Sequence, residues 1–457
     1  MRLLIVGGSD AGISAALRAR EVAPDTEVTV VVADAFPNYS ICGLPYYLGG
    51  EVPDWRSLAH RTVEEIEGAG IRLLLDHTAR AIDPAGRTVT VTDRSGRPHA
   101  LPYDRLVIAT GAAPVASTIE GIDLPGVHVL HTMDDTFRMQ RHLDEGVPRS
   151  AVVVGGGYIG LEMAEALVHR GVERVMLVVR SGAVLRTTIS AELARLVEDE
   201  LERHGVELVM DTAVQAVRRE GNGLVVLGSG GWRAATELVL VAVGVRPASE
   251  LAVTADVALG RGGAIRVSRE MATNIEDIYA AGDCVETWHH LLETYTYLPL
   301  GTTAHKQGQV AGENAVGGHR RFAGSLGTQV VKVFDLAIAR TGLLEDEARR
   351  AGYDAVSHMD RVPDHKAYYP GAEPLSIAII GDRASGRLLG GQIVGHWRAE
   401  VSKRIDILAT ALYHRMRVDE LNDLDLSYAP PFSSPWDPAQ MAAQAWGRAM
   451  EATGRVG

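Results

Sequence analysis

The chain has 457 residues, 46% hydrophobic and 23% charged, a balance typical of a soluble globular protein with room for several domains. Its formal net charge of −13 leaves no basic surplus to neutralise phosphates, which excludes a nucleic-acid partner but permits a local basic pocket. No apolar run reaches the roughly 18–20 residues of a membrane span, so no membrane partner is expected.

The first residues, Met1-Arg2-Leu3-Leu4-Ile5-Val6, enter a strand at once and leave no room for a signal peptide. Cysteine occurs twice, as Cys42 and Cys284. A disulfide framework is therefore not expected, and a cytoplasmic location follows as the default. Residues 3–6 read as a strand, Gly7-Gly8-Ser9-Asp10-Ala11-Gly12 as a turn, 13–22 as a helix and 28–32 as a second strand. The design recurs at residues 151–154, Gly155-Gly156-Gly157-Tyr158-Ile159-Gly160, 161–170 and 175–179. Each is a βαβ unit. The spacing predicts an α/β fold with two Rossmann-like dinucleotide-binding domains. Beyond about Gly324, residues 327–341, 375–380 and 388–394 read as strands and 402–415 as an amphipathic helix. The tail from Tyr428 to Trp436 holds too many prolines for helix or central strand. This end reads as a third, α+β domain.

The second turn matches GxGxxG in full. Gly155 makes the tight turn, Gly157 lets a pyrophosphate approach the backbone, and Gly160 lets helix and strand pack closely. The alternative is a plain glycine-rich turn. In the first turn Ser9 replaces the second glycine between Gly7, Gly8 and Gly12, and serine is small enough to spare most of the phosphate approach. Asp34, at the end of the second strand, suits a ribose hydroxyl; a solvated loop carboxylate is the alternative. The second unit has Val179 at the comparable place, followed by Arg180. No carboxylate is there to repel a 2′-phosphate, which favours NADPH and leaves NADH possible.

These motifs resemble the pyridine nucleotide-disulfide oxidoreductases, flavoproteins with two dinucleotide-binding domains, over nearly the whole chain. Ala109-Thr110-Gly111, the stretch around Gly244, and Gly282-Asp283 resemble the family's further FAD and NAD(P) motifs in the family's order. The resemblance implies FAD, with Asp283 on its ribityl chain. It implies that Tyr158 covers the flavin until nicotinamide arrives, and that Glu162 lies near the nicotinamide. It implies an FAD domain at 1–113 and 247–323, an NAD(P) domain at 114–246, and a C-terminal dimerisation domain at 324–457, hence a homodimer.

Cys42-Gly43-Leu44-Pro45-Tyr46-Tyr47 resembles the single-cysteine branch, which holds coenzyme A-disulfide reductases, persulfide reductases, and NADH oxidases and peroxidases. Tyr47 occupies the place of the second cysteine of glutathione-reductase-like enzymes, which excludes an internal disulfide. Asp10 stands where oxidases and peroxidases of this branch carry histidine. Tyr369 in Tyr-Pro-Gly, Tyr428 in Tyr-Ala-Pro-Pro, and Lys403-Arg404-Ile405-Asp406 are similar to the coenzyme A-disulfide reductases; Tyr368 is an alternative to Tyr369. The approach loop Pro37-Asn38-Tyr39-Ser40-Ile41 instead resembles nitrite-reductase-type flavoproteins. No rhodanese-like extension follows the tail.

The reading is reduction of a small disulfide or persulfide, coenzyme A disulfide foremost, by Cys42 held as thiolate beside a helix N-terminus and the flavin. Tyr369 and Tyr428 assist from a partner subunit. Coenzyme A is the expected ligand or substrate. The alternatives are an NAD(P)H oxidase cycling through a cysteine sulfenic acid, and a flavin electron-transfer or redox-sensor protein with little turnover. Cys284 reads as plain packing, and His305 and Lys306 as surface or flavin-proximal residues.

Overall fold

The computed structural model describes residues 1–115 and 119–454; residues 116–118 and 455–457 of the expected second and third domains lie outside the described residues. Arg2–Val6 is the middle strand of a five-stranded parallel sheet, flanked by Arg105–Ile108 and Glu27–Val31, with Ile278–Ala280 and Ile71–Leu74 outermost. Leu3, Leu4, Ile5 and Val6 are all buried. Parallel strands are covered on both faces, so they read as unbroken apolar runs rather than alternating ones. Ser150–Val154 plays the same part in a second five-stranded parallel sheet, between Arg174–Val178 and Leu238–Val241, with Val206–Val209 and Val127–Val129 outside. A three-stranded antiparallel sheet accompanies each, at residues 78–102 and 214–236.

The third sheet is antiparallel, in the order Gln329–Val333, Leu336–Gly342, Leu388–His396, Pro374–Asp382, Ala355–Pro363. Helices Val401–Tyr413 and Pro438–Gly454 accompany it. Residues 428–436 form neither helix nor strand, as their prolines require.

Two packing features set the site. Helix Asp10–Val22 lies against helix Gly301–Ala315 at backbone contact: a Cβ on Gly308 would stand 2.2 Å from the Ala11 carbonyl oxygen, and one on Gly312 2.1 Å from that of Ala15. This sets His305 beside Asp10. The short helix Leu44–Leu48 buries Leu44 and Leu48 in one cluster with Leu161, Ala166, Val331 and Phe334. This holds the Cys42 turn against helix Tyr158–His169.

Candidate active site

Both glycine turns have the shape of a phosphate cradle. Gly7 and Gly155 each adopt φ of 120°, with no room for a Cβ against the carbonyls of Ala109 and Ala242. The third glycines are closed too: a Cβ on Gly12 or Gly160 would lie 1.8 Å from the oxygen of Gly7 or Gly155. Gly157 faces open space, as do Gly111 (φ 70°) and Gly244 (φ 111°). Ser9 and Gly157 are the N-caps of helices Asp10–Val22 and Tyr158–His169, so free backbone N–H groups point out of both turns.

Asp34 lies in the loop past Glu27–Val31 and accepts the Phe36 N–H at 2.9 Å. Burial raises it, and Asp134 and Asp76 add to the rise. Asp283 makes no side-chain hydrogen bond among the described residues, and burial with Asp10 nearby pushes it up to about 6. Thr110 Oγ1 donates to the Ala248 carbonyl at 2.5 Å. An orphaned acid, open glycines and two helix N-termini fit two dinucleotides. A cleft of about 820 Å³ lined by Arg261, Arg266, Glu286 and Tyr295 contains none of these residues.

The approach loop to Cys42 is built rather than loose. Phe36, Tyr39, Trp55 and Phe137 pack ring on ring, with centroids 5.2–5.7 Å apart. Asn38, at φ 57°, donates its N–H to the Gly8 carbonyl at 2.7 Å and so ties the loop to the first glycine turn. Cys42 follows in the 3₁₀ turn Ile41–Gly43 and is exposed, whereas Cys284 is fully buried.

The thiol of Cys42 is raised, not lowered. Protein around it withdraws water, and Glu162, Asp10 and Asp283 oppose its ionisation. The expectation that a helix start holds it as thiolate needs correction for the polypeptide alone. Leu44–Leu48 is a single turn and a half of helix, and three carboxylates from three separate segments outweigh it. Glu162 accepts from the Tyr46 hydroxyl at 3.4 Å. Burial, with Glu165 adding, pushes Glu162 up to about 7, against Tyr46 and Lys332. A carboxyl raised well above the usual carboxylate range therefore sits near the thiol.

The sequence marked His305 as a surface or flavin-proximal residue, without a partner. His305 places Nε2 3.3 Å from Asp10 Oδ1 and Nδ1 2.8 Å from Ser14 Oγ, and the Asp10 contact raises its pKa. The imidazole absent from the glycine turn thus reaches the same space from the opposite helix. Tyr369 and Tyr428 are half-exposed. Their segments are joined by the Lys366 N–H donating to the Pro430 carbonyl, and by buried Arg404, which donates to the carbonyls of Asp364 and Phe432. Among the described residues no hydrogen bond, ion pair or ring contact links either tyrosine to Cys42.

Val179 is buried beneath Gly156, and Arg180 is exposed beyond it. Residue Arg186, which sequence reasoning missed, is exposed on the same loop; the neighbouring Leu185 N–H bonds the Gly156 carbonyl at 2.8 Å. Tyr158 and Glu162 lie on the first turns of the following helix, Ile159 between them.

Residues 1–308 match the model for pyridine nucleotide-disulphide oxidoreductases, and residues 328–439 match its dimerisation domain. The chain belongs to this family. It is a flavin-dependent NAD(P)H oxidoreductase. It is 35% identical over 442 residues to a CoA-dependent NAD(P)H sulfur oxidoreductase of Pyrococcus abyssi, covering 97% of each chain. An NAD-dependent persulfide reductase from A. fulgidus superposes with a TM-score of 0.94 at 36% identity, over 99% of this chain and 84% of the other. A water-forming oxidase from Lactobacillus brevis, engineered as an NADPH oxidase, superposes with a TM-score of 0.94 at 28% identity, over 99% and 100%. Its engineering exchanged a glycine and an aspartate for alanine, made the two residues after the aspartate arginine and serine, and placed another arginine five positions further on. No helix among the described residues is long and apolar enough to cross a membrane.

Proposed function

We propose that this oxidoreductase uses NADPH to reduce a small disulfide or persulfide, coenzyme A disulfide foremost, through Cys42 alone. The observation that carries the reading is the pairing of one exposed cysteine, four residues before the Tyr46 that bonds Glu162, with a second cysteine sealed in the core. With Tyr47 in place of a resolving cysteine, Cys42 can form a disulfide only with the substrate.

In this reading residues 1–113 and 247–323 hold FAD through Gly7, Gly8, Ser9, Gly12, Asp34, Ala109, Thr110, Gly111 and Asp283. Residues 114–246 hold the coenzyme through the Gly155 turn, Glu162, Gly244 and Arg180. Bound flavin supplies the two-electron link between nicotinamide and sulfur. Cys42 attacks one sulfur of the substrate, expels one thiol and keeps the other half as a mixed disulfide. Two electrons from the coenzyme then cleave that bond, free the second thiol and restore Cys42. Glu162, near neutrality in its titration, takes or gives the proton that accompanies these steps. In a homodimer of residues 324–457, the half-exposed Tyr369 and Tyr428 face the partner's sulfur site. The coenzyme choice draws support from Arg180-Ser181 followed five residues later by Arg186, which match the Arg-Ser pair and the later arginine of the engineered NADPH oxidase, with Val179 where that enzyme has alanine.

The test is anaerobic NADPH oxidation by the flavin-loaded enzyme against a panel of disulfides and persulfides, wild type beside Cys42→Ser. Turnover with coenzyme A disulfide that vanishes in the variant is expected. Full activity in Cys42→Ser refutes the mechanism. In a parallel assay under air, oxygen consumption equal to coenzyme oxidation without disulfide supports the oxidase reading instead.

A further inference from the structure

Two buried polar side chains stand on the inner strands of the C-terminal sheet among apolar neighbours. Arg340 on Leu336–Gly342 and Gln392 on Leu388–His396 are cross-strand partners, 7% and 2% exposed, beside Ile338, Ala339, Ile393 and Val394. Burying such groups is costly unless each finds partners. Their partners are not in their own sheet alone. Arg340 Nη1 donates to the Thr187 carbonyl at 3.0 Å, and the Ser190 N–H donates to Gln392 Oε1 at 2.6 Å. From behind, Arg340 Nη2 donates to the Gly342 carbonyl at 2.7 Å and to Glu347 Oε2 at 2.8 Å, which fixes the guanidinium in direction.

The segment so gripped is the one that follows Arg180 and carries Arg186. Its near end is tied to the second glycine turn by the Leu185 N–H on the Gly156 carbonyl. Its middle lies by Tyr158, whose buried hydroxyl makes no hydrogen bond among the described residues and feels the charge of Arg340. The segment has no helix or strand of its own, so these bonds set its position. We infer that Arg340 and Gln392 are positioning residues for coenzyme binding: the C-terminal sheet holds residues 185–190 where Arg186 and Tyr158 receive the coenzyme. The inference rests on the coenzyme reading above and adds that the third domain takes part in it.

The experiment measures dissociation constants of the flavin-loaded full-length enzyme for NADPH, NADH and 2′,5′-ADP by calorimetry, beside kcat and thermal midpoint. Gln392→Met removes the acceptor of the Ser190 N–H. Ser190→Pro removes the donor from the other side, at a residue whose φ of −65° proline shares. Each is expected to weaken NADPH and 2′,5′-ADP about tenfold, the effect of one anchoring hydrogen bond, with kcat changed less than about twofold. Gln392→Glu keeps the acceptor and restores affinity. Unchanged affinity for 2′,5′-ADP in both folded variants overturns the inference, as does a loss that only follows a lowered thermal midpoint. A wild type that binds NADH more tightly than NADPH overturns the coenzyme reading instead; the anchors are then judged by the same criterion on NADH.

Discussion

Replacing Arg180 and Arg186 by alanine should turn coenzyme preference without harming the chemistry. Both side chains are exposed, and neither has an ion-pair partner among the described residues. Each is therefore free to meet a 2′-phosphate at no cost in broken contacts. A charge-assisted hydrogen bond contributes about 1.5–3 kcal/mol, and solvent screening at this exposed site selects the low end. About 1.5 kcal/mol per arginine is about tenfold in kcat/KM for each single variant and about a hundredfold for the double. NADH, which lacks the phosphate, should keep its kcat/KM within about twofold. The assay is the ratio of kcat/KM for NADPH and NADH with one saturating disulfide, at low and high salt. The wild-type ratio should narrow as salt rises, and the double variant's should not. A double variant that keeps the wild-type ratio refutes the phosphate pocket. Equal losses on both coenzymes show instead that the arginines shape the loop.

Three further outcomes are expected. Ionised Glu162 opposes the Cys42 thiolate, so Glu162→Gln should lower the pH midpoint of Cys42 alkylation by iodoacetamide. Glu162 is pushed up to about 7 and is charged mainly above that pH; the gain should therefore be largest on the alkaline side, and an unmoved midpoint contradicts the electrostatics. Lys332→Met should cost about 2–4 kcal/mol, because Glu165, 3% exposed, loses the ammonium that pairs with it and keeps only the Phe334 N–H. Denaturant melts check this, and Glu165→Met in the same chain should recover much of the loss. Cys284, fully buried and pushed up to about 11, should prove inert: Cys284→Ala should keep full turnover, and a loss of turnover moves the redox chemistry off Cys42.

Much of the fold is legible because its signals are local. The two glycine turns sit between apolar runs, and the steric demands at Gly12 and Gly160 come from Gly7 and Gly155 of the same turns, although those at Gly7 and Gly155 come from distant Ala109 and Ala242. Strand Ala355–Pro363 was not, since its half-buried Asp360 and exposed Arg361 break any alternation and its cover arrives from Trp446, which donates to the Val356 carbonyl at 2.9 Å. At the site, Cys42 and Tyr47 are adjacent in the chain and could be read together. The carboxylates that raise Cys42 come from the first turn, the second glycine helix and the segment near residue 283, so the sign of its shift depends on tertiary assembly. His305 meets Asp10 only because Gly308 and Gly312 let two distant helices touch. Arg186 lies in an irregular loop where spacing carries no period.

The placement of Ile278–Ala280 at the rim of the first sheet has a consequence for how the molecule is made. Strands from Arg2 onward emerge first from the ribosome, yet one strand of their sheet and the helix Gly301–Ala315 that packs on Asp10–Val22 emerge last among its parts. The second parallel sheet has all its strands between residues 127 and 241 and can close by itself meanwhile. The order of assembly should thus run from the inside of the sequence outward, with the amino-terminal segment waiting, apolar and uncovered, for about 280 residues of chain to follow it. A nascent chain halted just short of residue 278 should protect the inner unit from protease and leave the first strands open to cleavage.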